Sequence, residues 1–235
     1  MHPDLPSGLV VRGFTPPLRL ADFRLAAFDM DSTLIDIECI DEIAAAVGLK
    51  TEVAAITEAT MRGEIADFKD SLLRRVALLK GVDEQFLHEI WEHRLQLNPG
   101  VETFMRALRD AGLKTLLVSG GFTFFSDRVA QRLAMDYARA NVLEIVGGRL
   151  TGGLVTQDWG DICDGAEKRR MLLQTCAALG LSPGQAIAVG DGSNDLPMMD
   201  VAGLSIAYHA KPAVRAQAML AINEGGMDGA LAILR

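Results

Sequence analysis

The sequence predicts an α/β fold in which a mostly parallel sheet is flanked by helices and an all-helical insert follows the first strand. Short apolar runs, which are typical of buried strands, alternate with helical patterns of about 10–15 residues. This alternation favours parallel strands joined by crossover helices. Residues 38–97 instead show helical patterns and no convincing strand. The chain is therefore expected to divide into a core, residues 21–37 and 98–235, and an insert, residues 38–97.

The composition is that of a globular chain, and it argues against two classes of partner. The 235 residues are 49% hydrophobic and 23% charged, with a formal net charge of −8. Nucleic acids and acidic membrane surfaces bind basic patches, so we expect this acidic chain to bind neither. No apolar run approaches the roughly 18 residues that a membrane-spanning helix needs.

The first twenty residues are predicted to be an irregular lead-in. They contain four prolines and lack the basic start and apolar core of a signal peptide. The cysteines, Cys39, Cys163 and Cys176, are widely spaced and fit neither a zinc site nor a disulfide framework. Their number and spacing favour a reducing cytoplasm.

The insert is predicted to hold four helices. Ile40, Ile43, Ala44 and Val47 repeat at helical spacing, and Gly48 ends the pattern. Further helices are expected over residues 51–61, over residues 67–80 and from residue 83 onwards. An Asn-Pro-Gly sequence at residues 98–100 then breaks the chain.

From residue 101 onwards, helices and strands alternate. Helices are predicted around residues 101–111, 124–133 and 167–179, and strands at residues 115–118, 186–189 and 204–207. Residues 142–155 combine β-prone runs with two Gly-Gly pairs and are expected to form a hairpin. In such sheets ligands bind outside the carboxyl ends of the strands, so a site is expected there.

Two aspartates, Asp29 and Asp31, follow directly after the first strand, residues 25–27. Carboxylates this close repel each other unless one is protonated or a cation is present. One carboxylate could attack phosphorus while the other hands a proton to the leaving oxygen, so the pair suits phosphoryl transfer. A solvated acidic loop is the alternative.

The ends of the next two strands carry groups that suit a phosphate and a divalent cation. Ser119, Gly120 and Gly121 offer a hydroxyl and amides to phosphate oxygens, although Ser-Gly-Gly is also an ordinary turn. Asp191 follows the third strand between two glycines and suits Mg²⁺, which prefers carboxylates together with water and phosphate oxygens. A tight turn with Asp195 as helix N-cap is the alternative.

Charged residues elsewhere could complete such a site. Lys168 opens the helix before the third strand and could balance a phosphoryl group, although most such lysines are surface charges. In the insert, Phe68 and Arg75 share a helix face, so the arginine could bind a carboxylate that the ring shields. Glu38 could bind an ammonium group, and surface ion pairs are the alternative for both charged insert residues.

With these residues in place, the chain resembles the haloacid dehalogenase superfamily of phosphatases and, within it, the phosphoserine phosphatases. The resemblance runs from about residue 25 to residue 214. The family motifs match residues 29–33, residues 119–122, Lys168 and residues 190–197. Residues 208–212 match a further stretch of this branch, and the insert matches the cap of the family at Glu38, Met61, Phe68, 71–72 and 75–76.

The resemblance implies a role for each catalytic and metal-binding residue. Asp29 would be the nucleophile that becomes a phosphoaspartate. Asp31 would be the general acid for the leaving hydroxyl and then the general base for water. Mg²⁺ would be held by the Asp29 carboxylate, the Asp31 backbone carbonyl and Asp191.

The resemblance also implies how the substrate is held. Ser119, Gly120 and Lys168 would bind the phosphoryl group, with Asn194 nearby. Glu38 and Arg75 would bind the ammonium and carboxylate groups of the small-molecule substrate, O-phospho-L-serine. The insert would be a cap that excludes water. The supporting residues would be Thr33, Met61, Phe68, Gly121 and Asp195.

The expected activity is thus Mg²⁺-dependent hydrolysis of O-phospho-L-serine, the last step of serine biosynthesis. A phosphatase or phosphotransferase for another small phosphorylated amino acid or metabolite would use the same chemistry, but only a zwitterionic substrate needs both Glu38 and Arg75. A phospho-accepting signalling domain would need no lid. A dinucleotide-binding protein would need a Gly-x-Gly-x-x-Gly sequence after the first strand. The sequence leaves monomer and homodimer open.

Overall fold

The computed structural model describes residues 6–61, 64–65 and 67–235, and within them eight strands form one sheet. The strands are β1 (Leu9–Val11), β2 (Leu25–Phe28), β3 (Lys114–Phe122), β4 (Tyr137–Val146), β5 (Arg149–Val155), β6 (Ala186–Gly190), β7 (Leu204–Tyr208) and β8 (Leu220–Ile222). Their order is β1-β8-β7-β6-β2-β3-β4-β5. The pairs between β8 and β4 are parallel, and the two edge strands, β1 and β5, pair antiparallel with their neighbours.

The same described residues hold nine α-helices. They are α1 (Cys39–Ala46), α2 (Lys50–Met61), α3 (Phe68–Leu78), α4 (Gln85–His93), α5 (Val101–Asp110), α6 (Thr123–Arg132), α7 (Gly165–Ala178), α8 (Leu196–Met199) and α9 (Pro212–Gln217). The predicted α/β fold, with a mostly parallel sheet flanked by helices, is confirmed.

The central strand β2 is buried on both faces, which explains why its sequence is apolar without interruption. Leu25 and Ala27 belong to a cluster on one face that includes residues of α7, α8 and α9. Ala26 and Phe28 belong to a larger cluster on the other face, where the Phe28 ring packs edge-on against Phe104 of α5 at 6.1 Å between centroids. Full burial of a side chain such as Phe28 contributes about 1.5–3 kcal/mol to the stability of the fold. The core packing of β2 therefore fixes the position of its carboxyl end, where the site lies.

One predicted feature of the N-terminal part is wrong. The lead-in over residues 1–20 is not irregular throughout, because Leu9 pairs with Ile222 and Val11 with Leu220, which forms β1 against β8. Both strands have three residues, too few to give an alternating pattern in the sequence. The helical insert therefore follows the second strand of the chain.

The two ends of the segment that holds α1 to α4 lie side by side. The Asp36 amide donates to the Gln96 carbonyl at 3.0 Å, and the Gln96 amide donates to Asp36 Oδ1 at 2.9 Å. Asn98 Nδ2 donates to the carbonyls of Thr33, at 2.9 Å, and Ile35, at 2.8 Å. Because these hydrogen bonds join the first and last residues of the segment, its helices can be inserted after β2 without disturbing the strand pairing of the sheet.

The same segment is attached to the hairpin of β4 and β5, whose antiparallel pairing confirms the hairpin predicted at residues 142–155. Beyond the end of α3, the Gly81 amide donates to the Leu150 carbonyl at 2.7 Å, and the Leu150 amide donates to the Val82 carbonyl at 2.9 Å.

The start of α3 is attached to the core by side-chain ion pairs, whereas the segment after its end is attached by backbone hydrogen bonds. Lys69 Nζ lies 3.2 Å from Asp161 Oδ1 and 3.8 Å from Asp164 Oδ2, both in the segment before α7. The two ends of α3 are therefore held by different kinds of interaction.

Among the described residues, no helix has both the length and the apolar character needed to cross a membrane. Cys39, Cys163 and Cys176 are buried free thiols.

Replacing Asn98 by alanine is expected to lower the free energy of unfolding by about 1–3 kcal/mol, because two carbonyls lose their shared donor. Equilibrium unfolding in urea measures this difference. Gln96→Ala is the matched control, because that side chain is exposed, and a change below about 0.5 kcal/mol is expected for it. Equal effects of the two substitutions would contradict the role given to Asn98.

Candidate active site

A buried lysine joins two aspartates at the carboxyl end of the parallel strands. Lys168, in the first turn of α7, places its Nζ 2.7 Å from both Asp29 Oδ1 and Asp195 Oδ1. Lys168 and Asp195 are 0% exposed, and Asp29 is 5% exposed. Although burial favours the neutral amine, the carboxylates of Asp195 and Asp29 raise the pKa of Lys168 above its ordinary value. The lysine is therefore charged and can be buried because it is paired twice.

Asp195 holds the turn that follows β6. Its Oδ1 accepts from Lys168, and its Oδ2 accepts from the backbone amides of Asp191, at 3.1 Å, and Gly192, at 3.0 Å. A Cβ atom at Gly190 would overlap the Asp195 side chain. Glycine is therefore required at position 190 for the turn to pack closely around this carboxylate. Both oxygens of Asp195 are thus engaged.

The carboxylates of Asp29, Asp191 and Asp195 form a cluster that fits a metal ion. One oxygen from each lies within 4.8 Å of the others. Three carboxylates and one lysine leave an excess of negative charge, which a divalent cation would compensate. Because the Asp195 oxygens are engaged, Asp29 and Asp191 are the side chains that fit as ligands. Among the described residues, the Asp31 carboxylate does not belong to this cluster. The sequence analysis expected the backbone carbonyl of Asp31, and not its carboxylate, as a ligand of Mg²⁺.

The protonation of these acids follows from their burial. Burial, and next the charge of Asp195, raise the pKa of Asp29 well above its ordinary value, and Lys168 opposes this rise. Burial, followed by the charges of Asp195 and Glu38, raises the pKa of Asp191 to about 7. A bound divalent cation favours ionised carboxylates and would lower both pKa values.

Asp31 occupies a separate environment two residues further along. The Cys39 amide donates to Asp31 Oδ1 at 3.2 Å, and Gly121 lies so close that a Cβ atom there would be 2.6 Å from Asp31 Oδ2. Burial, and next the charge of Glu38, raise the pKa of Asp31 to about 7. A carboxyl group with a pKa near neutrality can donate a proton in one step and accept one in the next.

Ser119, Gly120 and Gly121 lie in an irregular part of β3 and not beyond its end. The strand continues to Phe122, and its register against β4 shifts between Val118 and Phe122. The predicted strand end at residue 118 is therefore wrong, because the glycines allow an irregularity that the apolar pattern does not reveal. Ser119 Oγ accepts a hydrogen bond from the Gly121 amide at 2.9 Å. The backbone of residues 119–121, the Ser119 segment, therefore bends around the Ser119 hydroxyl.

Asn141 supports this segment and is absent from the sequence prediction. Its Nδ2 donates to the Gly120 carbonyl at 2.8 Å, and its Oδ1 accepts from the Cys163 amide at 2.8 Å. The side chain is buried. A lone asparagine carries no motif, and its position directly before the predicted hairpin is the one available signal.

A cavity of about 480 Å³ opens above these groups. The core contributes Asp29, Asp31, Ser32, 119–122, 191–194 and Lys211, and the helical segment contributes Glu38, Ile40, Asp41, Thr57, Thr60, Phe68, 71–72 and Arg75. Lys168, Thr33 and Asp195 lie buried behind the core wall, where Thr33 Oγ1 donates to Asp191 Oδ1 at 3.3 Å. The structure thus brings the predicted site residues together, except Met61, whose side chain lies outside the described residues.

The third helix places an aromatic ring and an arginine at the cavity. Phe68 Cζ would lie 2.9 Å from a Cβ atom at Gly120, so the ring rests directly on that glycine. Arg75 is half-buried in the cavity wall, whereas the neighbouring Arg74 is exposed and pairs with Asp70 at 2.8 Å. Arg75 is therefore the cation that α3 offers to a ligand.

Glu38 lines the same cavity and accepts from Ser32 Oγ at 2.6 Å. The adjacent Cys39 is buried, and burial, together with the charge of Asp31, raises the pKa of its thiol well above the ordinary value. A neutral, inaccessible thiol is a poor nucleophile, so Cys39 fits a packing role.

Lys211 belongs to the matched stretch 208–212 but was given no role in the sequence analysis. It lines the cavity, and its backbone amide donates to the Asp191 carbonyl at 3.1 Å. This residue follows β7, another parallel strand. Applying the strand-end rule to that strand would have found it. The polar residues of α1, α2 and α3 at the cavity follow no such rule, because their placement depends on how the helices pack.

The chain is similar to known hydrolases in both sequence and structure. Residues 23–203 match the family model described as haloacid dehalogenase-like hydrolase. The chain is 64% identical to the phosphoserine phosphatase of Albidiferax ferrireducens over the full length of both. It is also 64% identical to the phosphoserine phosphatase of Polaromonas sp., covering 99% of this chain and 98% of the relative. A solved phospho-aspartyl intermediate analogue of phosphoserine phosphatase is 34% identical, with a TM-score of 0.83 over 91% of this chain and 99% of that chain.

Lys168→Met is expected to lower the free energy of unfolding by about 3–5 kcal/mol, because two buried carboxylates lose their counter-charge. Urea unfolding in the presence of a chelator measures this loss without compensation by a bound cation. Lys114→Met is the control, since Lys114 makes an exposed pair with Asp136, and its substitution should leave stability nearly unchanged. Two equally stable variants would rule out Lys168 as the charge that holds the site together.

Proposed function

The chain belongs to the haloacid dehalogenase-like hydrolase family, and we propose that it is a Mg²⁺-dependent phosphatase that hydrolyses O-phospho-L-serine to L-serine and phosphate. The observation that carries this proposal is the position of Asp29. Its carboxylate is held 2.7 Å from Lys168 in the wall of a cavity that also exposes Glu38 and Arg75. The full-length relatives named phosphoserine phosphatase support this choice of substrate.

In the first half of the reaction Asp29 is the nucleophile. A carboxylate oxygen of Asp29 forms a bond to phosphorus, and the bond between phosphorus and the serine oxygen breaks. The electron pair of that bond stays on the serine oxygen, which takes a proton from Asp31. The related protein solved as a phospho-aspartyl intermediate analogue supports an aspartyl phosphate on this scaffold.

In the second half, water releases the phosphate. Asp31, now ionised, takes a proton from the water as its oxygen attacks phosphorus, and the bond to the Asp29 oxygen breaks. Both carboxyl groups are then returned to their starting states. The pKa of Asp31, about 7, supports this double role.

The phosphoryl group needs cationic and hydrogen-bonding partners throughout. We assign this role to the hydroxyl of Ser119, the amide of Gly120 and Asn194, which line the cavity, and to Lys168, whose Nζ lies 2.7 Å from Asp29 Oδ1. Asp29, Asp191 and the backbone carbonyl of Asp31 would hold Mg²⁺. When bound, this ion offsets the negative charge of the phosphate.

The remaining part of the substrate defines specificity. The ammonium group of phosphoserine binds Glu38, and its carboxylate binds the fork of Arg75. Residues 38–97 act as a cap on the core of residues 21–37 and 98–235. Phe68, resting on Gly120, supports the exclusion of water from the reacting phosphate. We place the reaction in the cytoplasm, in serine biosynthesis, and the three free thiols support that compartment.

The test of the proposed function is phosphate release from O-phospho-L-serine, beside sugar phosphates and p-nitrophenyl phosphate. Fast release from phosphoserine is expected with Mg²⁺, and loss of activity is expected when a chelator removes the ion. Asp29→Asn is expected to lower kcat by on the order of 10⁴-fold or more, because the nucleophile is gone.

The possible failures of this test are distinct. Release from the panel but not from phosphoserine would contradict the substrate while leaving the Asp29 chemistry intact. Failure to release phosphate from any ester would contradict the phosphatase activity itself.

Arg75→Ala is expected to raise KM for O-phospho-L-serine by roughly 10- to 100-fold, the range for losing a charge-assisted hydrogen-bonded pair. KM for O-phosphoethanolamine, which has the ammonium but no carboxylate, should change little. Arg74→Ala is the matched control, because that arginine pairs with Asp70 outside the cavity. A similar rise for both esters would remove Arg75 from carboxylate binding.

A further inference from the structure

Ser32 lines the cavity directly after Asp31 in the chain, and the reaction described above gives it no role. Its hydroxyl donates to Glu38 Oε1 at 2.6 Å. This distance lies in the range for a hydroxyl and an ionised carboxylate, whose hydrogen bonds are roughly twice as strong as neutral ones. Because the Ser32 proton is donated to Glu38, it is not offered to a phosphate oxygen.

The backbone of Ser32 has a left-handed conformation, with a φ of 54°. Residues that carry a side chain rarely adopt this conformation, whereas glycine adopts it freely. The Ser32 amide donates to the Ile37 carbonyl at 3.1 Å, so residues 32–37 form a closed loop, and the Ser32 hydroxyl reaches the next residue, Glu38. An unusual backbone conformation that is kept in a cavity wall indicates that the side chain is used there.

The backbone of Glu38 is fixed, but its side chain has few restraints. Glu38 is the N-cap of α1, and its carbonyl accepts from the amides of Asp41 and Glu42, both at 3.1 Å. Its carboxylate does not cap the helix and makes no ion pair with any described residue. A long, flexible side chain loses conformational entropy when it is ordered. Within the described part of the chain, the Ser32 hydroxyl is the one hydrogen-bond donor that restricts this carboxylate.

The hydrogen bond from Ser32 leaves half of the Glu38 carboxylate available. Oε1 is engaged, while Oε2 keeps its acceptor sites for an ammonium group. A carboxylate that is already held in place binds a cation more tightly, because less rotamer freedom is lost on binding. Ser32 follows Asp29 by three residues, so the same hydrogen bond also fixes Glu38 relative to the proposed nucleophile.

We propose that Ser32 is a positioning residue that holds the Glu38 carboxylate in the orientation that binds the substrate ammonium group. This inference rests on the proposed function, in which Glu38 binds that group. Ser32 acts through Glu38 and transfers no proton in the reaction.

The test compares Ser32→Ala with the parent enzyme on three esters. O-phospho-L-serine and O-phosphoethanolamine both carry an ammonium group, and KM for each is expected to rise about tenfold with kcat nearly unchanged, because a hydrogen bond to a charged group is lost. KM for p-nitrophenyl phosphate, which has no ammonium group, should stay the same. This pattern differs from that expected for Arg75→Ala, which raises KM for phosphoserine alone.

Two further variants separate the hydroxyl group from the backbone. Ser32→Gly removes the hydroxyl but adopts the left-handed conformation freely, so the same rise in KM is expected. It also provides the measurement if Ser32→Ala folds poorly. Ser182→Ala is the control, because the Ser182 hydroxyl accepts from the Gly184 amide at 3.2 Å in a turn that does not line the cavity. Its loss should leave all three KM values unchanged.

A double substitution tests whether Ser32 acts through Glu38. In the Glu38→Gln background, Ser32→Ala should raise KM for phosphoserine no further, because the carboxylate that it orients is gone.

Four results would overturn the inference. They are an unchanged KM for phosphoserine in both Ser32 variants, an equal rise for p-nitrophenyl phosphate, a rise in Ser32→Ala that Ser32→Gly does not share, and an additive effect in the Glu38→Gln background. Failure of the proposed function is recognised separately. In that case the parent enzyme lacks phosphoserine activity, or Glu38→Gln by itself leaves KM for phosphoserine unchanged.

Discussion

The double pairing of Lys168 with Asp29 and Asp195 is the interaction on which the rest of the site depends. Asp29 follows β2 and Asp195 lies in the turn after the neighbouring strand β6, so two buried carboxylates meet here and need a counter-charge, which Lys168 supplies from α7. Asp195 in turn binds the amides of the segment that presents Asp191. One charge network therefore sets the positions of Asp29, the proposed nucleophile, and of Asp191, a proposed metal ligand.

The two parts of the site divide the work. The core holds groups that any phosphate ester would meet, namely carboxylates, a lysine and the Ser119 segment. The helical segment holds Glu38 and Arg75, to which the proposed function assigns the ammonium and carboxylate groups of the substrate. The reaction and the choice of substrate can therefore vary independently, because changes in the helices leave the strand ends untouched.

The sequence predicts those parts whose signals are local. Asp29, Asp31 and Asp191 stand next to apolar strands, and the strand-end rule finds them without knowledge of the packing. Asn141 could not be found this way, since its role arises from contacts with Gly120 and Cys163, which are distant in the sequence. The strands β1 and β8 were missed for a related reason: three residues give no periodicity, and their pairing is determined by the edge of the sheet.

The unequal attachment of α3 makes one rim of the cavity sensitive to ionic strength. Its far end is tied to the hairpin by backbone hydrogen bonds, which salt does not screen. At its near end the Phe68 ring rests on Gly120, and Lys69 adds exposed ion pairs with Asp161 and Asp164 that salt weakens. Asp164 also caps α7, the helix that carries Lys168. Dissolved salt is thus expected to loosen the Lys69 corner of the entrance, and Asp164 links that corner to the helix that carries Lys168 beneath Asp29.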